Sequence, residues 1–427
     1  MKRGLARTFF AALALAGAAD LRSNDAQACG GCFHIPTERV QAVTSHRMVL
    51  SVGTRETILW DQFRYSGQPS EFAWVLPVTG DARVELASSA FFDALDLATT
   101  VTITPPRCNP TGGGCGPSAL SPARSTGEAG GGGVTVLRQE SVGPYDTVLL
   151  QATGADVLTD WLRANNYVVP GSIEPIIAHY TGMRANFIAL KLRPMATVQQ
   201  MQPVRVRMQG SSMLLPLRMV SAGITDKVGI TLWIFAPGRW EAGNYPNAEV
   251  LRSRVAWDWS AQRSDYTALS DAIFANDRRT WLSEMSEPAS GYVNFAAQTF
   301  GNGFGTPTTT LSAEDQQAAM ADFTAATQGD LRNYWITRMR ADLPATMLDR
   351  DLEVRASTAS AVLPARFTPI RTRGTPPDGC PSLSPSGCTA LPVASAGRAM
   401  PALPFVVAAL GLALRKLSRS RRARRPS

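Results

Sequence analysis

Two apolar runs constrain the fold more than any other feature of this sequence. In Glu71-Phe-Ala-Trp-Val-Leu-Pro-Val78, Phe72, Trp74 and Leu76 share one face of an extended chain, and Ala73 and Val75 keep the other apolar. In Lys227–Ala236, Val228, Ile230, Leu232 and Ile234 alternate with Thr231, Trp233 and Phe235. A strand that is apolar on both faces belongs inside a sheet covered on both sides. Pro77 falls near the end of the first run, where a ladder donor is dispensable.

Shorter elements surround these runs. Met48–Val52 and Thr57–Tyr65 read as strands, and Tyr65-Ser-Gly-Gln-Pro69 supplies a turn between Thr57–Tyr65 and Glu71–Val78. Phe91, Phe92, Leu95 and Ala98 recur at helical spacing after Ser88-Ser89, a suitable cap. Val134–Glu140 and Thr147–Ala152 form a hairpin around Gly143-Pro144-Tyr145-Asp146. Asp156–Asn165 puts Val157, Leu158, Trp161 and Leu162 on one helical stripe, and Ile173–Tyr180 adds a second helix. Asn186–Leu192, Val204–Met208 and Met213–Met219 read as strands. Leu269, Ile273, Phe274, Trp281, Leu282 and Met285 mark one longer helix, and Ser312-Ala-Glu-Asp315 opens another with an acidic first turn. Strands come in runs with helices interspersed and no strict βαβ alternation. The expected fold is α+β, with a mostly antiparallel sheet and room for two sub-layers.

Both ends of the chain carry addresses. Met1–Ala28 has the parts of a signal peptide: Lys2, Arg3 and Arg7, then the apolar Phe9–Ala19, then Ala26-Gln27-Ala28 before Cys29. The expected organisation is therefore a leader at 1–28 and an extracytoplasmic body at 29–366 interrupted by a Gly/Pro-rich flexible loop at 105–133. A Pro/Ser/Gly-rich stalk at 367–398 and an apolar run with an Arg-rich tail at 399–427 complete it. Ala399–Leu414 is a charge-free run of sixteen residues, short of the roughly 20 that span a bilayer comfortably, but flanked by Arg398 and Arg415, which can snorkel. The tail that follows should stay cytoplasmic, making the membrane a partner through the C-terminal segment. The expected location is the bacterial cell envelope, membrane-anchored or sorted to the surface. The chain holds 42 Lys and Arg against 34 Asp and Glu. Setting aside four basic and two acidic residues in the leader, and seven basic ones in Arg415–Ser427, leaves 31 basic and 32 acidic between them. A body so balanced gives no electrostatic reason to expect a nucleic-acid partner.

Cys29-Gly-Gly-Cys32 opens the exported body, with His34 close behind. A secreted chain with six cysteines favours structural disulfides. The local pairs Cys108 with Cys115 and Cys380 with Cys388 each lie in one short segment, and Cys29 with Cys32 is sterically allowed. A metal site using Cys29, Cys32 and His34, or a redox pair, are the competing readings; a thioredoxin-like pair would follow a strand and open a helix. The blocks "ACGGC", "DQFRYSGQPSEFAWVLPV", "FFDALDLAT", "SVGPYDTVLLQATGADVLTDWLRANNY", "MRANFIALKLRP", "LPLRMVSA", "WIFAPGRW" and "NYPNAEV" run in order from about Ala28 to about Arg355. They resemble the bacterial secreted domain-of-unknown-function family numbered 2330, which implies export and supplies no catalytic residues. The cysteine, apolar run and arginine cluster at the C-terminus resemble MYXO-CTERM type sorting tails, with Cys388 as the matching cysteine.

No nucleophile elbow, phosphate loop, zinc-protease helix or calcium loop is present. Gly301-Asn-Gly-Phe-Gly305 is superficially like a nucleotide loop but precedes Thr-Pro-Thr-Thr rather than a helix. His46 and His179 have no acidic or cysteine neighbour at ligand spacing and read as surface or core-edge histidines. Trp233, Trp240, Tyr245, Trp257 and Trp259 crowd one third of the chain, as either a groove lining or ordinary core. No catalytic, cofactor or metal residue is assigned. The leading expectation is a non-catalytic binding or structural module for an unknown envelope ligand or protein. The alternative is an envelope enzyme, either thiol-redox through Cys29 and Cys32 or a hydrolase with dispersed residues.

Overall fold

Lys227–Pro237 lies inside an eight-stranded sheet, as its two apolar faces require. In spatial order the strands are Asn247–Ala248, Trp281–Pro288, Tyr334–Pro344, Lys227–Pro237, Ala42–Val52, Glu56–Ser66, Val204–Gln209 and Arg83–Leu86. Neighbours are antiparallel except for Lys227–Pro237 with Ala42–Val52, and Asn247–Ala248 with Trp281–Pro288. A five-stranded antiparallel sheet runs Cys32–Phe33, Ala73–Val78, Asn186–Leu192, Tyr145–Gln151 and Val136–Val142. The computed structural model describes residues 32–33, 42–66, 73–107 and 136–377, apart from 152–153, 165–168, 170, 172, 194–195, 197–199, 222–223, 225 and 293–311. The described residues belong to one compact unit.

The alternation of the central strand produces a layered structure. Val228, Ile230, Leu232 and Ile234 pack with Met48, Leu50, Leu59, Leu76, Ile188 and Leu190, which joins the two sheets face to face. Trp233 and Phe235 point the other way, onto Phe91 and Phe92 of the helix Ser89–Thr99 and Phe323 of the helix Ala313–Ala326. The far face of the smaller sheet puts Val75, Phe187 and Ala189 against Leu158 and Leu162 of the helix Ala155–Ala164 and Ile177 and Tyr180 of the helix Glu174–Gly182. The order is helices, large sheet, small sheet, helices. Each large side chain buried in these layers contributes roughly 1.5–3 kcal/mol. The fold is α+β and mostly antiparallel, as expected.

Local chemistry sets the element ends. Ser88 caps Ser89–Thr99 by accepting from the Ala90 N–H, and Ser312 caps Ala313–Ala326 by accepting from the Asp315 N–H. Gly143, at φ +56°, makes the tight turn of the hairpin Val136–Val142/Tyr145–Gln151.

Glu56–Ser66 and Ala73–Val78 are strands, as expected; the first pairs in the large sheet and the second in the small one, and the turn expected between them lies outside the described residues from 67 onward. Two expectations are corrected. Met213–Met219 is a two-residue strand, Leu214–Leu215, followed after Pro216 by the short helix Leu217–Val220; proline lacks the ladder donor that a longer strand would need. The longer helix expected to include both Leu269 and Met285 is a helix, Tyr266–Asn276, and then a strand, Trp281–Pro288. Trp281 to Ser286 are all buried, and a wholly buried run has no face from which periodicity can tell strand from helix. Further on, Arg366–Phe367 and Arg371–Arg373, at the foot of the expected stalk, pair with Thr102–Ile103 and Ala256–Asp258. The loop expected at 105–133 lies outside the described residues from 108 onward.

Candidate functional site

The helix-covered face of the large sheet changes character along its length. Trp233 and Phe235 meet aromatic rings there, whereas Gly229 and Thr231, earlier on the same strand and on the same face, meet a cleft of about 610 Å³. Asp271, Phe274 and Ala275 of the helix Tyr266–Asn276 form one wall, with Arg278 beyond its end. In register, Gly229 lies between Ser45 and Asp342, and Thr231 between Arg47 and Arg340. A Cβ placed on Gly229 would meet no atom within 4 Å, so the cleft opens directly over bare backbone. Glycine inside a strand sacrifices roughly 0.5–1 kcal/mol, and such a position marks a place where something approaches the backbone.

The polar side chains beneath the cleft form one chain of alternating charge. Arg47 Nη1 donates to Asp93 and Asp96 at 3.0 and 2.8 Å, and its Nε donates to Gln62. Asp96 also accepts from Arg338 Nη1 at 2.8 Å, Arg338 Nε donates to Glu284 Oε2 at 2.9 Å, and Glu284 Oε1 accepts from Arg340 Nε at 2.9 Å. Glu284 and Arg338 are 7% and 9% exposed in their side chains, so these ions have lost most of their water. Each guanidinium lies over a ring: Arg47 over Phe92, Arg338 over Trp233 and Arg340 over Phe274, at 5.5, 5.1 and 5.0 Å.

A defect in the sheet makes the chain possible. Leu282 pairs with Arg340 and Ser283 with Met339, but Met285 already pairs with Arg338. Glu284 is the extra residue of a β-bulge. It lies between the two arginines, where one carboxylate oxygen reaches each. Nearby, burial pushes the Tyr266 hydroxyl up to about 12, with Glu284 adding to the shift and Arg252, Arg340 and Arg338 opposing it.

The members of the chain are not equally engaged. Arg47, Asp96, Arg338 and Glu284 each hold more than one polar partner. Arg340 holds only Glu284, through Nε, so both its terminal nitrogens are uncommitted among the described residues. It is also the member that lines the cleft at 36% exposure. Arg278 and Asp271 are exposed and make no ion pair with a described residue, whereas Lys227 and Asp342 pair with each other at 2.8 Å.

His46 borders the same cleft, but its ring belongs to the other side of the sheet. Its Nδ1 lies 3.0 Å from Asp61 Oδ1, and both side chains are almost wholly buried. Asp61 lines a small apolar crevice between the sheets with Met48, Leu59 and Trp74, and no nucleophilic side chain lines it. The sequence shows no acid near His46; the hairpin of Ala42–Val52 with Glu56–Ser66 brings Asp61 to it diagonally, with Met48 opposite Asp61. The imidazole is a fixed structural group there. His179 is half-buried on its helix, with its ring 5.2 Å from that of Tyr180.

Of the cysteine candidates, Cys32 lies in the two-residue strand opposite Trp74, and Cys29, Cys108, Cys115, Cys380 and Cys388 lie outside the described residues. Among the described residues no cluster of His, Cys, Asp and Glu could hold a metal ion, and no helix is long and apolar enough to cross a membrane. His34, Gly301–Gly305 and Ala399–Leu414 also lie outside them. Trp233, Trp240, Tyr245, Trp257 and Trp259 are all buried and none lines the cleft, so their density is core. The residues that do shape it, Arg47, Gly229, Glu284, Arg338 and Arg340, are absent from the sequence analysis above. The signals for them were a glycine inside the apolar Lys227–Ala236 run and arginines at alternate positions in Ile336-Thr-Arg-Met-Arg-Ala341.

Fold and cleft together define a double-sheet α+β protein with a charged opening at one end of its larger sheet. The family model for DUF2330, described as uncharacterized protein conserved in bacteria, matches residues 23–352, and the chain belongs to that family. No curated protein matches it, and no solved structure does.

Proposed function

We propose that this protein is an extracytoplasmic binding module of the bacterial envelope, and that the cleft over Gly229 is its ligand site. The supporting observation is the edge of Arg340, uncommitted among the described residues, at an opening where a Cβ on Gly229 would meet nothing within 4 Å. Binding sites are concave, with a few oriented polar groups on apolar walls; here Phe274 and Ala275 supply apolar contact and Arg340 the oriented group. The adjacent histidine is held by Asp61 on the other side of the sheet, which favours binding over acid–base chemistry. The leader and C-terminal tail support export and membrane retention. Disulfides among Cys29, Cys32, Cys108, Cys115, Cys380 and Cys388 fit that oxidising location, and Cys32 in a strand rather than at a helix start favours a structural over a redox role.

The site is tested with the full-length protein and a Gly229→Val variant, each incubated with envelope extract and examined by native mass spectrometry. A mass retained by the wild type and lost in the variant is expected; identical spectra would refute the site. The location is tested by fractionation: full-length protein should appear in the membrane fraction, and loss of Met400–Ser427 should release it from that fraction.

A further inference from the structure

We propose that the ligand presents a carboxylate, received end-on by the two terminal nitrogens of Arg340, with an apolar portion lying along Phe274 over Gly229. The proposal rests on the cleft being the ligand site and assigns its chemistry. The alternating chain sets the charge. Asp93, Asp96 and Glu284 balance Arg47, Arg338 and Arg340 in number, but the order places an exposed acid at one end and Arg340, in the cleft, at the other. The buried chain therefore offers the ligand one guanidinium, that of Arg340.

Its orientation is fixed before a ligand arrives. Glu284 pins Nε, the Phe274 ring flanks the plane at 5.0 Å, and the bulge holds Glu284 in place. A guanidinium used through Nε leaves two parallel N–H donors on its far edge, the spacing of a carboxylate's two oxygens. Arg278, without an ion pair among the described residues, strengthens the preference for an anion. Asp271, which makes no ion pair with a described residue, lies on the same wall and disfavours a doubly charged phosphate, because the added negative charge meets a carboxylate as well as an arginine. Phe274 and Ala275 give the rest of the ligand an apolar bed, and bare Gly229 gives it depth.

The test uses the purified full-length chain and three probes with the same six-carbon tail: hexanoate, hexylphosphonate and hexylamine. Affinities are taken from ligand-observed NMR titrations. Hexanoate is expected to bind best. Arg340→Gln should weaken it by about tenfold or more, the scale of a lost hydrogen bond to a charged group, and Gly229→Val should weaken all probes that bind. Gly229→Val adds its side chain to open space and should keep the wild-type unfolding midpoint; Arg340→Gln removes one of the two arginines on buried Glu284, so its midpoint is measured alongside to separate lost binding from lost fold. Hexylphosphonate or hexylamine binding at least as tightly as hexanoate, or hexanoate binding unchanged in Arg340→Gln, overturns the carboxylate assignment. If such a rival probe is lost in Gly229→Val, the cleft survives as the site and only its chemistry is wrong. Failure of all three probes also overturns the assignment, leaving the cleft to the envelope-extract experiment.

Discussion

The two ends of the strand Lys227–Pro237 build different environments on the same face of the same sheet. At one end Trp233 and Phe235 close on Phe91, Phe92 and Phe323, with Phe91 edge-on to Phe323 at 4.9 Å. At the other, Gly229 and Thr231 lie among arginines and carboxylates and face an opening. Both ends sit on continuous ladder hydrogen bonding, so backbone geometry does not separate them. The difference comes from a missing side chain at Gly229 and an inserted residue at Glu284. The aromatic end is held by area removed from water, and the charged end by mutual satisfaction of ions that have lost water. A site on this sheet is thus a local interruption of the core.

The largest expected effect comes from cutting the charged end at its centre. Glu284→Ala takes from Arg338 its buried counter-ion, leaving it the more exposed Asp96, and takes from Arg340 its one carboxylate, so the loss should approach the roughly 3–5 kcal/mol of a broken buried pair. Trp233→Ala, at the aromatic end, should cost a similar 3–5 kcal/mol through the cavity it leaves. Denaturant unfolding of both variants makes the comparison direct. A loss under about 1 kcal/mol for Glu284→Ala would mean that the ion chain is a solvated edge.

The aromatic end also holds a buried carboxylate, which gives the next test. Asp322 is buried there and accepts from Trp60 Nε1 at 2.8 Å, the Ser88 N–H at 2.8 Å and Arg205 Nη1 at 2.9 Å. It ties the helix Ala313–Ala326 to the start of Ser89–Thr99 and to the sheet. Asp322→Asn turns one acceptor into a donor facing a donor, at an expected cost of about 1–3 kcal/mol. No measurable change would show that apolar contact alone holds the aromatic end.

This division explains what could be read from the sequence. Ala73–Val78, Asn186–Leu192 and Lys227–Pro237 are legible because their burial is apolar and their period is two. The helix Ser89–Thr99 is legible because Ser88 caps it and Phe91, Phe92 and Leu95 recur on one side. Tyr334–Pro344, a central strand, went unread although Ile336, Met339 and Ala341 are buried, because Arg338 and Arg340 suggest a solvated face. Their counter-ions come from Asp96 and Glu284, more than fifty residues away in sequence, and from a bulge that no local pattern announces. The site was hidden for the same reason: a buried guanidinium is acceptable only once its partners are placed, and topology places them.

The smallest effect is a control outside the buried chain. Beyond the helix Tyr266–Asn276, Arg279 holds Asp349 with both terminal nitrogens, at 2.9 and 3.1 Å, and Arg350 Nε adds a contact at 3.1 Å. These cations, Arg279 first, hold the Asp349 carboxyl well below the usual carboxylate range. A carboxyl depressed in the folded state binds its proton less readily there than in the unfolded chain. Its contribution is present above the unfolded value of about 3.9 and is lost as pH falls through the folded one. Asp349 is 45% exposed, so solvent screens the pair, and Asp349→Asn should cost under about 1 kcal/mol at neutral pH. That deficit should shrink in about 1 M salt, where the Debye length is near 3 Å, and shrink again as pH drops below about 4. The Glu284→Ala deficit should change less with salt, because Glu284 and Arg338 are shielded by protein. If the two deficits respond to salt alike, burial is not what distinguishes the ion chain, and the contrast between the two ends of the strand loses its electrostatic basis.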